Sequence, residues 1–561
     1  MAYVVKQATG RGQVHLYLAV NHHDPAKRQA RQSRTYLGVL DQATGELLLG
    51  MNSQEPDAAT KELLRGKGIT YAGRRASPPG PKPTGPRKPR PAADIAGALS
   101  RSRVVEIGRV EALSHLAKQS GLLGALESAY GSDAAGRVLA VAMYEACEGG
   151  AMYLAGEWAE ETGAPEGLSS ASLSRLASEL GSDTASSDTF FRSWIEACGK
   201  PVALVHDTTS ISSYAADLDL AEWGYNRDKE ALPQVNLALV VARESRLPLW
   251  FRVVPGSVPD VSTLKLTGRM LRALGLERFA YALDKGYYSL SNLKDMLESK
   301  LGFTIGVPLG NAQAKALVAA SRRALAAVKR SFLYKDERVR HVEGVFTVAT
   351  KDGARTLPAH LYSDPARREA MSKRIETAVL ELERKGSENP FEGRSQARAW
   401  IRGNAGRLGK FLAPSVEAGR WRVARKANAL ARAMNDFGLT LVVTTSPDHG
   451  PEATLSDYRC RDMAEKVFDT CKNSTGNRRL HTGDEATAQG RLFLAFLAVT
   501  LRCLVEAKLR QAKLLKAHTV DEAFAFLRKV KRIQLADGGS ALLEVPRKAR
   551  LVAEALGMAF K

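Results

Sequence analysis

Apolar and polar positions alternate through VHLYLAV at 14–20 and TYLGVL at 35–40, and a period of two predicts strands. The turn-forming DQATG at 41–45 follows, so residues 1–72 are expected to form a β-rich module. The run RRASPPGPKPTGPRKPRP at 74–91 carries no acidic residue and too little apolar surface for a core; residues 73–103 read as a basic, proline-rich linker. Helical spacing takes over in VEALSHLAKQSGLLGALESAY at 110–130 and AAGRVLAVAMYEACEGGAMYLAGEWAEE at 134–161. Residues 104–200 are therefore a helical domain. Within it GLSSASLSRLASELG at 167–181 has the texture of a helix-turn-helix and gives the domain a DNA-binding reading, against ordinary helix packing.

Short apolar runs follow at 202–207 (VALVHD), 235–242 (VNLALVVA), 247–254 (LPLWFRVV) and 279–284 (FAYALD), with a helical pattern at 262–274 and another at 291–299. This order predicts a mixed sheet with flanking helices over 201–307. Residues 308–437 have elements of their own: an Ala-rich helix near 312–331, a strand pair near 338–362 and a helix near 365–386. They are expected to be an inserted domain. The α/β texture resumes over 438–515, with LTLVVTT at 439–445, a helix at about 457–472 and a long apolar helix through 485–515. A C-terminal helical segment, 516–561, contains the capping-box sequence TVDE at 519–522. The expected class is α/β multidomain.

Charge changes the picture more than composition does. Lys and Arg outnumber Asp and Glu by 81 to 60, a net charge of +21, whose natural partner is a polyanion. The five cysteines form no CxxC pair, which speaks against zinc fingers and a disulfide framework. The longest apolar run, 492–501, falls short of the roughly 20 residues that cross a bilayer. With no apolar signal core at the N-terminus, a cytoplasmic, nucleoid-associated protein is expected.

Two apolar strands end in aspartate, Asp207 and Asp284, at the sheet edge where α/β folds commonly carry chemistry. On a single helix over 457–472, at about 100° per residue, Tyr458, Arg461, Glu465 and Lys472 fall near about 0°, 300°, 340° and 320°. They make one polar stripe beside an apolar face of Met463, Ala464, Val467 and Phe468. Hard oxygen ligands for two divalent ions, with Arg and Lys to neutralise phosphate, are what phosphodiester cleavage needs. Asp462 and Asp469 point close to the same stripe, so direction alone leaves the third carboxylate open. His481, Asp484 and Glu485 form a polar cluster that reads as a loop entering a capped helix, and His22, His23 and Asp24 read as a polar turn.

The spacing of Tyr458, Arg461, Glu465 and Lys472 resembles the Tyr-Arg-Glu-Lys signature of bacterial insertion-sequence transposases of the DDE type. PLWFRVVPGSVPDVSTL at 248–264 and DKGYYS at 284–289 resemble the blocks around that family's second aspartate. The resemblance implies a ribonuclease-H-like core interrupted by an insertion. It implies Asp207, Asp284 and Glu465 as catalytic metal ligands, two Mg²⁺ per site with Mn²⁺ as a substitute, and Tyr458, Arg461 and Lys472 as contacts to DNA phosphates. Some relatives pass through a DNA hairpin and hold a flipped base on an aromatic side chain of the insertion; Trp400 and Trp421 are the candidates here. The implied function is cut-and-paste transposition by a homodimer on the terminal inverted repeats of double-stranded DNA, with no membrane partner. A ribonuclease-H-like nuclease or resolvase without strand transfer, and a non-catalytic DNA-binding regulator, are the alternatives.

Overall fold

The computed structural model describes residues 2–8, 14–24, 29–42, 44–49, 53, 55–71, 101–165, 167–215, 217–535 and 539–560. The proline-rich run at 74–91 lies outside them, as do the side chains of His22, His23 and Asp24. The chain divides into two units, Met1–Ile95 and Ala96–Lys561, each described by itself.

In the first unit β1 (Ala2–Ala8), β2 (Val14–Asp24), β3 (Gln29–Leu40) and β4 (Leu47–Leu48) pair antiparallel in that order. Helix α1 (Ala58–Arg65) starts at Asp57, whose carboxylate accepts from the Thr60 N–H at 2.8 Å. Its Leu64 joins Val4, Leu16, Leu37, Leu47 and Ile69 in a small core.

The second unit begins with β5 (Arg103–Glu106) and six helices: α2 (Gly108–Gln119), α3 (Leu122–Tyr130), α4 (Ser132–Glu148), α5 (Ala155–Thr162), α6 (Ser170–Ser182) and α7 (Thr184–Ala197). Strands β6 (Ala203–Ser213), β7 (Gln234–Ala242) and β8 (Pro248–Pro255) follow, then α8 (Asp260–Ala273), β9 (Ala280–Leu283), α9 (Leu290–Glu298) and β10 (Gly302–Val307). Every residue of β7 and all but the first of β6 are buried, which is why their sequences are unbroken apolar and small polar runs. Strands β6, β9 and β10 are parallel neighbours, whereas β7 runs antiparallel to β6 on its other side and β8 antiparallel to β7.

The segment expected as an insertion, 308–437, is divided. After α10 (Ala312–Ala326), strands β11 (Ser331–Tyr334), β12 (Glu337–Thr350) and β13 (Gly353–Ser363) extend the main sheet instead of standing apart. Helices α11 (Pro365–Ser387) and α12 (Arg394–Asn404), hairpin β14 (Leu412–Glu417) and β15 (Arg420–Arg425), and α13 (Ala427–Met434) enclose a separate core of Val379, Ile401, Phe411, Leu412, Val423 and Leu430. Strand β16 (Leu439–Thr444) then slots between β13 and β10, giving the order β11-β12-β13-β16-β10-β9-β6-β7-β8.

The helix expected over 457–472 is broken into α14 (Pro451–Arg459), α15 (Asp462–Asp469) and a π-helical turn, Thr470–Ser474. At the break the backbone changes to shorter-range bonds, with the Met463 N–H donating to the Cys460 carbonyl and the Ala464 N–H to that of Arg461. The Cys460 thiol also donates to the Asp457 carbonyl at 2.8 Å. Strand β17 (Arg479–Leu480) returns the chain to the outer end of β6. Helix α16 (Glu485–Gln511) is capped by Asp484, which accepts from the Thr487 N–H at 2.7 Å. Its residues from Leu492 to Val505 are buried.

Glycines allow α6, the segment with helix-turn-helix texture, to meet α16 closely. A Cβ on Gly490 would lie 1.8 Å from the Ala177 carbonyl oxygen, and one on Gly181 the same distance from that of Ala486. The capping box at Thr519 and Glu522 opens α17 (Val520–Leu527); β18 (Lys531–Gln534), β19 (Ser540–Leu542) and α18 (Arg547–Ala555) follow, with β18 pairing back to β5.

Candidate active site

Strands β6 and β9 run parallel with Val205 opposite Ala282. Asp207 and Asp284 each lie two residues further on, so the strand period puts them side by side on one face. That face is set by β7: Asp207 pairs with Leu239, and Leu237 and Leu239 line a small apolar pocket with Val467 and Phe468 of α15. His206 projects to the opposite face, where its Nε2 lies 3.4 Å from Thr263 Oγ1; burial depresses its pKa to about 4 and keeps it neutral.

Asp207 is 9% exposed. Burial pushes its carboxyl up to about 6, with Asp260 and Asp284 adding to the rise and Arg227 and the Thr208 N–H opposing it. The Arg227 guanidinium lies 3.5 Å from Asp207 and 2.6 Å from Asp260, so it bridges the two. Its loop is anchored to β6: the Arg227 N–H donates to Ser210 Oγ at 2.9 Å, and Asn226 Nδ2 donates to Ser212 Oγ at 3.0 Å. The next residues face the signature segment. Asp228 holds Lys472 at 2.7 Å, and Glu230 holds Arg479 at 2.7 Å.

Asp284 receives the signature from the other side. The Tyr458 hydroxyl donates to its Oδ1 at 3.2 Å, Arg461 Nη1 pairs with the same oxygen, and the Arg461 guanidinium lies 4.7 Å from the Tyr458 ring centroid. Burial acts to lower the Arg461 pKa, but Tyr458, Asp284, Asp462 and Glu465 more than reverse it. Arg461 Nε is buried and has no hydrogen-bond partner among the described residues. Glu465 is exposed on α15, one turn beyond Arg461.

Tyr458 can lie this close to the sheet because position 306 of β10 is glycine. A Cβ there would stand 2.5 Å from the Tyr458 hydroxyl and 2.9 Å from its Cε2. Gly306→Ala should push the ring off Asp284, costing about 1–3 kcal/mol of stability. Denaturant unfolding measures that cost, and an unchanged midpoint would mean that the ring moves freely.

Tyr458 and Arg461 are thus brought to Asp284, Lys472 to Asp228, and Arg227 to Asp207. The three carboxylates of Asp207, Asp284 and Glu465 do not close to within 4.8 Å of one another; among the described residues, His341, Glu343 and His360 form the group of three that does. Like charges repel, and each aspartate is faced by an arginine instead. The donor set is nonetheless all carboxylate oxygen, and its buried member has a raised pKa that a cation would relieve. It suits hard divalent ions.

Trp400 packs with the small core of α11 to α13, and Trp421 lies on the hairpin that helps enclose it. Trp400 is half-buried beside the small core of α11 to α13, where it meets Phe391 at 6.3 Å between ring centroids and would touch a Cβ on Gly386 at 3.0 Å. Trp421 sits on β15 opposite Val416 and is also half-buried. Among the exposed aromatics of the described residues, Trp223 at 68% and Tyr225 at 73% precede Arg227 in its loop. The sequence reading passed over Arg227, Trp223 and Tyr225; the available signal was EWGYNRDKE at 222–230, aromatic and charged residues in one loop.

Residues 199–501 match the family model described as transposase DDE domain, and the chain belongs to that family. Domains of this family generally use divalent metal ions. Among solved structures, a piggyBac transposase synaptic complex with hairpin DNA is 10% identical over 61% of this chain and 60% of that one, with a TM-score of 0.19. The chain thus spans less than two thirds of that transposase's length. No curated protein matches the sequence. No helix among the described residues is long and apolar enough to cross a membrane.

Proposed function

We propose that the chain is a DNA transposase that binds the terminal inverted repeats of an insertion sequence, cuts at the element ends and joins the 3′ ends to target DNA. The observation that carries this reading is that Asp207 and Asp284 each stand two residues beyond the Val205–Ala282 register pair of neighbouring parallel strands, with Tyr458 and Arg461 of the signature on Asp284. The order β8-β7-β6-β9-β10, antiparallel then parallel, is that of a ribonuclease-H-like core and supports it.

Asp207, Asp284 and Glu465 would hold two Mg²⁺, or Mn²⁺ in substitution. Bound there, the ions supply charge neutralisation for the attacking and leaving oxygens of an in-line displacement. The chain's own residues do the rest. Arg461, with its free Nε–H, takes a phosphate oxygen; Lys472 exchanges Asp228 for phosphate; and Arg227 keeps Asp207 ionised. Water attacks the phosphorus and the P–O3′ bond breaks, leaving a 3′ hydroxyl and a 5′ phosphate. In the joining step that hydroxyl attacks a target phosphodiester and expels a new 3′ oxygen. Because two ends must be cut together, a homodimer on DNA is the working assembly, with the basic linker and helical domain adding phosphate contacts.

Base stacking next to the reaction belongs to Trp223 and Tyr225 rather than to Trp400 and Trp421, since they are exposed and adjoin Arg227. Replacing both with alanine should weaken binding of ends with unpaired nucleotides by about 1–3 kcal/mol per stacked base and leave intact duplex ends unaffected. Fluorescence anisotropy with both oligonucleotides decides this; equal losses on the two would remove the stacking role.

The function itself is tested by strand transfer on end-containing oligonucleotides with Mg²⁺. Cleavage followed by joining supports transposition. Cleavage alone would make the chain a nuclease or resolvase, and binding with neither would make it a regulator.

A further inference from the structure

Away from the carboxylate site, two imidazoles meet on the main sheet. His341 of β12 and His360 of β13 lie on neighbouring antiparallel strands, with His341 Nε2 3.0 Å from His360 Nδ1 and ring planes 24° apart. The register sets Glu343 opposite His360 and His341 opposite Tyr362, so all four side chains point to one face. One ligand atom from each of His341, Glu343 and His360 lies within 4.8 Å of the other two.

His341 is 7% and His360 3% exposed, whereas Glu343 is exposed and leaves an open side. His360 Nε2 is buried and has no hydrogen-bond partner among the described residues. A packed imidazole pair accounts for the bond between the two rings. It accounts neither for the orphaned nitrogen nor for a carboxylate held beside them. Burial also keeps both rings neutral, so each retains a lone pair.

We propose that His341, His360 and Glu343 form a binding site for a borderline divalent transition metal of the zinc type, separate from the Mg²⁺ site. Two neutral imidazoles and one carboxylate, with an open fourth position, suit Zn²⁺ or Co²⁺; Mg²⁺, which takes oxygen ligands, is rejected. The ion would fasten β12 to β13 beside Tyr362, whose hydroxyl donates to the Pro451 carbonyl at 2.7 Å. Pro451 opens α14, the helix that carries Tyr458, so the site braces the sheet beneath the signature.

The test uses the full chain, stripped of metal and titrated with Zn²⁺ and Co²⁺ in millimolar Mg²⁺. One equivalent of Zn²⁺ is expected to raise the melting temperature, and Co²⁺ to give a visible absorption band from nitrogen ligation. Both signals should survive Asp207→Asn and Glu465→Gln. His360→Gln should abolish them, and Glu343→Gln, an exposed change that leaves the core intact, should weaken the metal by at least about tenfold. No Zn²⁺ response, a response unchanged in Glu343→Gln, or one lost with Asp207→Asn would overturn the proposal.

Discussion

Replacing Glu465 with glutamine is expected to lower end cleavage by about a thousandfold or more while binding of end DNA persists. A bound divalent ion contributes several kcal/mol of transition-state stabilisation, and about 1.4 kcal/mol is tenfold in rate, so losing one ligand of the set has this size. Glu465 is exposed on α15 and acts on Arg461, so the amide leaves the packing of Ala464, Val467 and Phe468 undisturbed. Asp462→Asn and Asp469→Asn are the controls. Asp469 already accepts from Asn473 Nδ2 at 2.7 Å, within its own helical segment. Single-turnover cleavage of end oligonucleotides measures all three. Retained cleavage in Glu465→Gln, or an equal loss in Asp462→Asn, would give the third carboxylate to another residue.

Arg227→Ala should shift the acid limb of the pH–rate profile upward and raise the Mg²⁺ requirement. Burial already holds the Asp207 carboxyl at about 6, and Arg227 is the cation that works against that rise. Without it the carboxyl moves higher. A proton and a metal ion compete for the same oxygens, so below the carboxyl's pKa the ionised fraction falls about tenfold per pH unit. Wild-type metal binding therefore weakens as pH falls through about 6, and the variant weakens at a higher pH. A rise of about one unit would cut the ionised fraction about twofold at pH 7 and about fivefold at pH 6, so Mg²⁺ titrations at the two pH values should differ by that pattern, with Arg227→Lys restoring part of the loss. An acid limb that stays in place would mean that Arg227 acts elsewhere, on DNA phosphate alone.

Two apolar runs end in Asp207 and Asp284, but only Asp284 stands past the end of its strand; β6 continues through Thr208 to Ser213 because buried hydroxyl residues extend it, which an apolar pattern does not mark. The signature spacing identified Tyr458 and Arg461, and both reach Asp284 across more than 170 residues of chain. Their wheel positions presumed one straight helix, however. The chain instead forms two helices that meet at Cys460 and Arg461, where tertiary pairs such as Arg459 with Asp364 at 2.8 Å hold the first of them, and no local periodicity encodes those contacts. Arg227 was invisible for a related reason. It lies on an irregular loop, and its role exists only because Ser210 and Ser212 of β6 fix that loop over Asp207. The strand pair expected within 308–437 was readable as strands, but its membership of the main sheet depends on β16, about eighty residues further on.

The central claim is that Asp207, Asp284 and Glu465 hold the metal ions that cut DNA. Anomalous diffraction from Mn²⁺ in a complex of the full chain with end DNA tests it directly. Two peaks are expected, held by carboxylate oxygens of Asp207, Asp284 and Glu465 beside the scissile phosphate. Peaks ligated by other carboxylates, or Glu465 still pointing into solvent beside a bound scissile phosphate, would contradict it.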